Sequence, residues 1–186
     1  MEMKDIYVEY NTEICTQSVG MFYEIIEKQF DDDIENLHLL LNSPGGSVRL
    51  ALGLAHLLEQ LPCKVMTYNM HRVDSAAIAL FCSGSERFCL PSSSFLAHTV
   101  HVELQGRYSP NTLKIEYMSL LHDYEDMIAY LSSRTTIPSV EWERHLSEEG
   151  HFFMVDEAIQ SGLATSTYDG PFGRPNKNYY SITSRV

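Results

Sequence analysis

The chain has 186 residues, 25 of them acidic and 13 basic, for a formal charge of −12 with neutral histidines. Such an acidic surface repels phosphate backbones and anionic lipid alike, so neither nucleic acid nor a membrane is an expected partner. At 44% hydrophobic and 20% charged residues the composition excludes wholesale disorder, and a single domain of this length needs no disulfide or metal staple.

Asp5–Tyr10 alternates apolar and polar residues and reads as a half-buried strand. Val19, Phe22, Ile25, Ile26 and Phe30 recur at helical spacing over Thr16–Phe30, and Asp31–Asp33 ends that pattern as an acidic turn. Leu37–Leu41 is a short buried strand running into Asn42-Ser43-Pro44-Gly45-Gly46, and Val48–Leu58 follows as an apolar helix face. Lys64–Tyr68 is the next buried strand, Asn69–Asp74 a polar approach, and Ser75–Cys82 a helix. Arg87–Leu90 and Phe95–His98 read as two more strands. This alternation of strands and helices implies βαβ crossovers and a mainly parallel α/β sheet. Over Pro110–Arg134 the apolar residues cover much of a long helix, which implies packing on a second surface such as a subunit interface. Val140–Leu146 and Val155–Ser161 are short helices, and the tail from Asp169, with two glycines and two prolines before Asn176, reads as draped.

The four cysteines form no CxxC pair, the N-terminus has no apolar signal core, and the longest strongly apolar run, Ala76–Cys82, is far short of a membrane span. Reduced thiols, a cytoplasmic location and no cofactor are therefore expected.

Chemistry has three places to assemble. Gly45-Gly46, between a strand and a helix, is either a tight βα turn or a loop that aims backbone N–H groups at an oxyanion. Ser75 is either the N-cap of the following helix or a nucleophile at its positive end, with small Ala76 and Ala77 leaving room for a substrate; Asp74 reads as part of the same cap. His98, leaving an apolar strand, suits a general base. His101, three residues on in an extended segment, would face the other way, so the two do not read as a zinc pair, and no metal site is expected. The other six histidines read as mostly surface residues.

Taken in order, these features resemble the Clp protease proteolytic subunit (ClpP) family. Leu41-Asn42-Ser43-Pro44-Gly45-Gly46-Ser47-Val48 is similar to its N-S-P-G-G segment, and Asp74-Ser75-Ala76-Ala77 through Gly84 to its nucleophile helix. Arg87-Phe88-Cys89-Leu90-Pro91 and Phe95-Leu96-Ala97-His98 are similar to the segment ending on its histidine, and Phe152–Ala158 with Gly162-Leu163 to a downstream motif. The resemblance implies one crotonase/ClpP-like superhelical domain of repeated β-β-α units, with a core over residues 5–167, a protruding handle strand and helix over 99–135, and a tail over 169–186. It implies a serine endopeptidase that cleaves extended peptides through an acyl-enzyme inside stacked, heptameric rings of identical chains. Ser75 would be the nucleophile, His98 the base, and the N–H groups of Gly46 and Ala76 the oxyanion hole. Gly45, Ser47, Val48, Val100 and His101 would bind the peptide as an added strand, with Glu103 favouring basic groups.

The sequence departs from the family pattern at three points. Gly150 stands where the family has its triad aspartate, so Glu149, and after it Glu148, becomes the candidate orienter of His98. The absence of a carboxylate at 150 also opens a second reading, a catalytically weak or inactive ring subunit with a structural or regulatory role. The chain starts almost at the first core strand, without the family's N-terminal axial segment, which argues against docking of an AAA+ unfoldase. Thr99-Val100-His101-Val102-Glu103 replaces a Pro and Gly-Gly stretch with bulkier residues, implying altered specificity.

Overall fold

A computed structural model describes residues 4–29, 34–147, 149–172 and 178–183. Its scaffold is built from three strands, β1 (Lys4–Asn11), β2 (Ile34–Ser43) and β3 (Lys64–Asp74), which pair in parallel. Ile6, Val8, Leu37, Leu39 and Leu41 are almost fully buried, as strands covered by crossover helices must be. The crossovers are α1 (Thr16–Gln29) and α2 (Val48–Glu59), the latter burying Ala51, Leu54, Ala55 and Leu58. After β3 comes α3 (Ala77–Cys82), whose six residues are all buried: a short helix apolar on every side belongs inside the core.

The sheet order is β6-β5-β3-β2-β1-β8, where β5 is Ser94–Ala97, β6 His151–Met154 and β8 Tyr179–Thr183. β4 (Glu86–Cys89) pairs with the first half of β3, from Met66 to Asn69, and β5 pairs with its end, from Arg72 to Asp74. β3 thus changes neighbours midway, and Asn69–Asp74, expected as a polar approach to the next helix, continues the strand: buried Asn69 donates to the Ser94 carbonyl at 2.9 Å across the junction. The β5–β6 pairing is antiparallel and all the others are parallel. The short β7 (Ser166–Thr167) pairs with β4.

The tail is not simply draped. β8 adds to β1 in parallel and buries Ile182 completely, while Tyr168 and Phe172 pack over Tyr68 on the second face of the sheet. On that face His38 is sandwiched between Tyr7 and Tyr68, so it is not the surface histidine expected. The acidic turn at Asp31–Asp33 lies outside the described residues.

α4 (Pro110–Arg134) has the bounds expected, with Ser109 capping it through Thr112 N–H and Pro110 opening its first turn. Its second half buries Met127, Ile128 and Leu131, but Leu113, Ile115, Tyr117 and Met118 in the first half stand exposed. The expected handle strand is absent among the described residues: Thr99–Ser109 is irregular, and Val102 and Leu104 are exposed there. α5 (Ser139–His145) and α6 (Val155–Gln160) complete the chain. All four cysteines are free thiols, and no helix among the described residues is long and apolar enough to cross a membrane.

Candidate active site

The C-terminal ends of β2, β3 and β5 converge, and with them the three sequence features. The Pro44–Gly46 loop is stitched to the β1–α1 connection: Ile14 N–H donates to Gly45 O at 2.7 Å, and Ser47 N–H to Ile14 O at 2.9 Å. Both bonds bypass Gly46, whose own N–H has no protein partner among the described residues. Only glycine fits here. A Cβ on Gly46 would lie 2.3 Å from the Ile14 carbonyl oxygen, and one on Gly45 2.7 Å from both Asp74 O and Ser75 Cβ, with φ values of +139° and +95°. The turn reading holds, and the tight turn is what brings the loop against Ser75.

Ser75 has φ +55°, the one left-handed non-glycine among the described residues. Its N–H donates to Leu96 O at 2.7 Å, which ties the turn to β5. The N-cap reading does not hold. α3 starts at Ala77 after an uncapped Ala76, and Ser75 Oγ has no hydrogen-bond partner among the described residues. A residue held in the left-handed region at roughly 1 kcal/mol or more, with an unspent hydroxyl, is a strained position of the kind that gathers at reactive sites. The N–H of Ala76 is likewise without a protein partner. Asp74 is no cap either: buried, it accepts from Leu96 N–H at 3.0 Å and pairs with Arg72 at 2.6 Å. Burial pushes its carboxyl pKa up, and Arg72 pulls against that shift.

His98 follows the last residue of β5. Its Nδ1 is 2.9 Å from the Thr99 carbonyl oxygen. A carbonyl can only accept, so Nδ1 carries the proton and Nε2 of the neutral ring keeps its lone pair. Thr99 is held in turn by its N–H to Ser147 O at 3.3 Å. Because the chain leaves the sheet after Ala97, His101 does not point the opposite way: its ring stacks on His98 with centroids 5.8 Å apart. Gly150 packs against the Ala97 carbonyl and the foot of the His98 side chain; a Cβ there would be 2.9 Å from Ala97 O and 3.3 Å from His98 Cβ. Glu149 is exposed and makes no hydrogen bond or ion pair among the described residues, and Glu148 lies outside them. No carboxylate is hydrogen-bonded to His98 among the described residues, and no hydrogen bond joins it to Ser75.

Ser75 and His98 open on one groove of about 620 Å³. Gly45, Gly46, Ser47, Val48, Val100 and His101 all line it, while Ala76 is buried beneath. Glu103 does not line it. One wall escaped the sequence reading: Glu116, Ser119, Leu120 and Asp123 of α4, with Glu13 at the rim. Their i, i+3, i+4, i+7 spacing marks one helix face, a signal masked by the apolar residues around them. Arg49 fastens that wall to the first turn of α2, its Nε donating to both Asp123 carboxylate oxygens at 2.9 and 3.1 Å and its guanidinium also reaching Ser119.

The comparisons with known proteins agree with this architecture. The profile of the Clp protease family matches residues 4–169. The ATP-dependent Clp protease proteolytic subunit 1 of Rhodopirellula baltica is 28% identical over 142 residues, 75% of this chain and 61% of that protein. Subunit 4 of Rhodococcus jostii is 29% identical over 143 residues, 76% of this chain and 72% of its own. The chain thus spans somewhat under two thirds of the first relative's length. A mutant form of ClpP1 from Listeria monocytogenes shares the fold, with a TM-score of 0.73 at 17% identity over 88% of this chain and 91% of that one. With most of its length inside the profile match, the chain belongs to the Clp protease family.

Proposed function

We propose that the protein is a serine endopeptidase acting on extended peptides. Ser75 Oγ attacks the scissile carbonyl and His98 Nε2 takes its proton. The N–H groups of Gly46 and Ala76 receive the oxyanion, and His98 returns the proton to the leaving amine. Water then opens the acyl-enzyme by the same route. The observation that carries this reading is the left-handed backbone of Ser75, whose hydroxyl has no partner among the described residues and which lines one groove with Gly46 and His98. In this scheme the Thr99 carbonyl fills the office of the missing aspartate by fixing the tautomer of His98, and Glu149 is not required. A neutral acceptor stabilises an imidazolium less than a carboxylate does, so slow turnover is expected.

Assembly into a chamber of identical chains is part of the same proposal. It is supported by the exposed apolar residues of α4 and by Val102 and Leu104 beside them. One observation favours the second reading, a weakly active or structural subunit: Ser75 and His98 are not hydrogen-bonded to each other. Hydrolysis of a fluorogenic peptide separates the two. The peptidase reading predicts turnover that falls about 10³-fold or more in both Ser75→Ala and His98→Gln. Turnover absent from an assembled wild-type particle would favour the structural subunit.

A further inference from the structure

We infer that the groove selects peptides with a lysine or arginine beside the scissile bond, and that Glu116 and Glu13 determine this specificity. The inference rests on the peptidase reading and names its substrate class. Three carboxylates, Glu13, Glu116 and Asp123, line the groove against one guanidinium, Arg49. Arg49 is already engaged, its Nε donating to both oxygens of Asp123 and its guanidinium to Ser119, so its charge is offset in part within the groove wall. The carboxylates of Glu13 and Glu116 make no hydrogen bond or ion pair among the described residues. Glu116 also lies near enough to Arg49 to favour its charged form.

The same lining, which also carries Ser47, Thr99 and His101, includes apolar Val48, Val100 and Leu120. That pairing of surfaces fits a long cationic side chain, whose methylene stem lies along apolar groups while its head reaches the carboxylates. An acidic side chain in the same place would meet uncompensated like charge. The −12 charge of the whole chain adds long-range attraction for a basic peptide. Glu103, the residue to which sequence assigned such a preference, is exposed and outside the groove; the charge comes instead from α4 and the β1–α1 connection.

Two measurements test the inference. Turnover is compared for peptides identical except for lysine, norleucine or glutamate beside the scissile bond, and binding of the lysine and norleucine peptides to Ser75→Ala is followed by fluorescence anisotropy. The expected lysine-to-norleucine ratio of kcat/KM is about tenfold at low ionic strength, shrinking towards unity near ~0.5 M salt. Glu116→Gln should cut that ratio about fivefold, and Glu116→Gln with Glu13→Gln should abolish it. A norleucine peptide cleaved as well as the lysine one, or a ratio that survives the double substitution, would overturn the inference. If Ser75 proves inert while Ser75→Ala still binds lysine peptides preferentially, the charge selection stands and the peptidase reading fails.

Discussion

At the scale of single residues, the account turns on how tightly Gly45, Gly46 and Ser75 are nested. Gly45→Ala would force a Cβ to within 2.7 Å of Asp74 O and Ser75 Cβ at φ +95°. A loss of about 2–3 kcal/mol is expected, visible as a drop of several degrees in Tm, together with loss of peptide turnover because the clash falls on the turn of the proposed nucleophile. A variant as stable and as active as wild type would show that the loop yields more than its packing suggests. Ser75, His98 and the glycine pair were legible in the sequence because each sits where an element ends, and four motifs in order fix their spacing. The partners of those residues were not. Ser75 reads locally as a cap, and only the backbone shows it left-handed and uncapped. Glu116 and Asp123 belong to the groove through the approach of a helix, α4, that is remote in sequence from the glycine loop, and no local pattern carries that approach.

At the scale of elements, the central strands, their crossover helices and the bounds of α4 followed from apolar periodicity. What periodicity misses is pairing between distant segments. β8 looks like polar tail, yet it pairs with β1 and buries Ile182 at 0% exposure. Ile182→Ala should therefore cost about 2–5 kcal/mol in denaturant unfolding; a cost near zero would mean that β8 does not contribute to the folded core.

The second face of the sheet adds a pH dependence. Burial holds the pKa of His38 below the ordinary histidine value of 6.5, against the opposing pull of Asp5. The folded chain thus binds fewer protons at this site than the unfolded chain over the interval between its lowered pKa and 6.5. Its neutral form contributes stability that is fully present above pH 6.5 and is lost as pH falls through that interval. Thermal unfolding should accordingly show Tm declining on acidification below about 6.5, with a shallower decline in His38→Asn. An equal slope in the variant would place the effect on other groups.

At the scale of the whole molecule, the exposed half of α4 is the feature that a lone chain leaves unexplained. Ile115 and Tyr117 are 67% and 62% exposed, so replacing them disturbs little of the core. Ile115→Glu with Tyr117→Lys should leave Tm within a few degrees of wild type while reducing the particle mass seen by light scattering. A particle of unchanged mass would move the proposed interface elsewhere. Long apolar coverage of that helix was legible in the sequence, but not its division into a buried half and an exposed half, because a repeat shows how often apolar residues occur and not which neighbour meets them.

The central claim is that Ser75 is an activated nucleophile. Its most direct test is labelling with a fluorophosphonate, read by intact mass on a particle whose size is measured in the same sample. One covalent adduct per chain is expected on the wild type and none on Ser75→Ala. An assembled wild-type particle that takes no adduct, or an adduct that persists on Ser75→Ala, would contradict it.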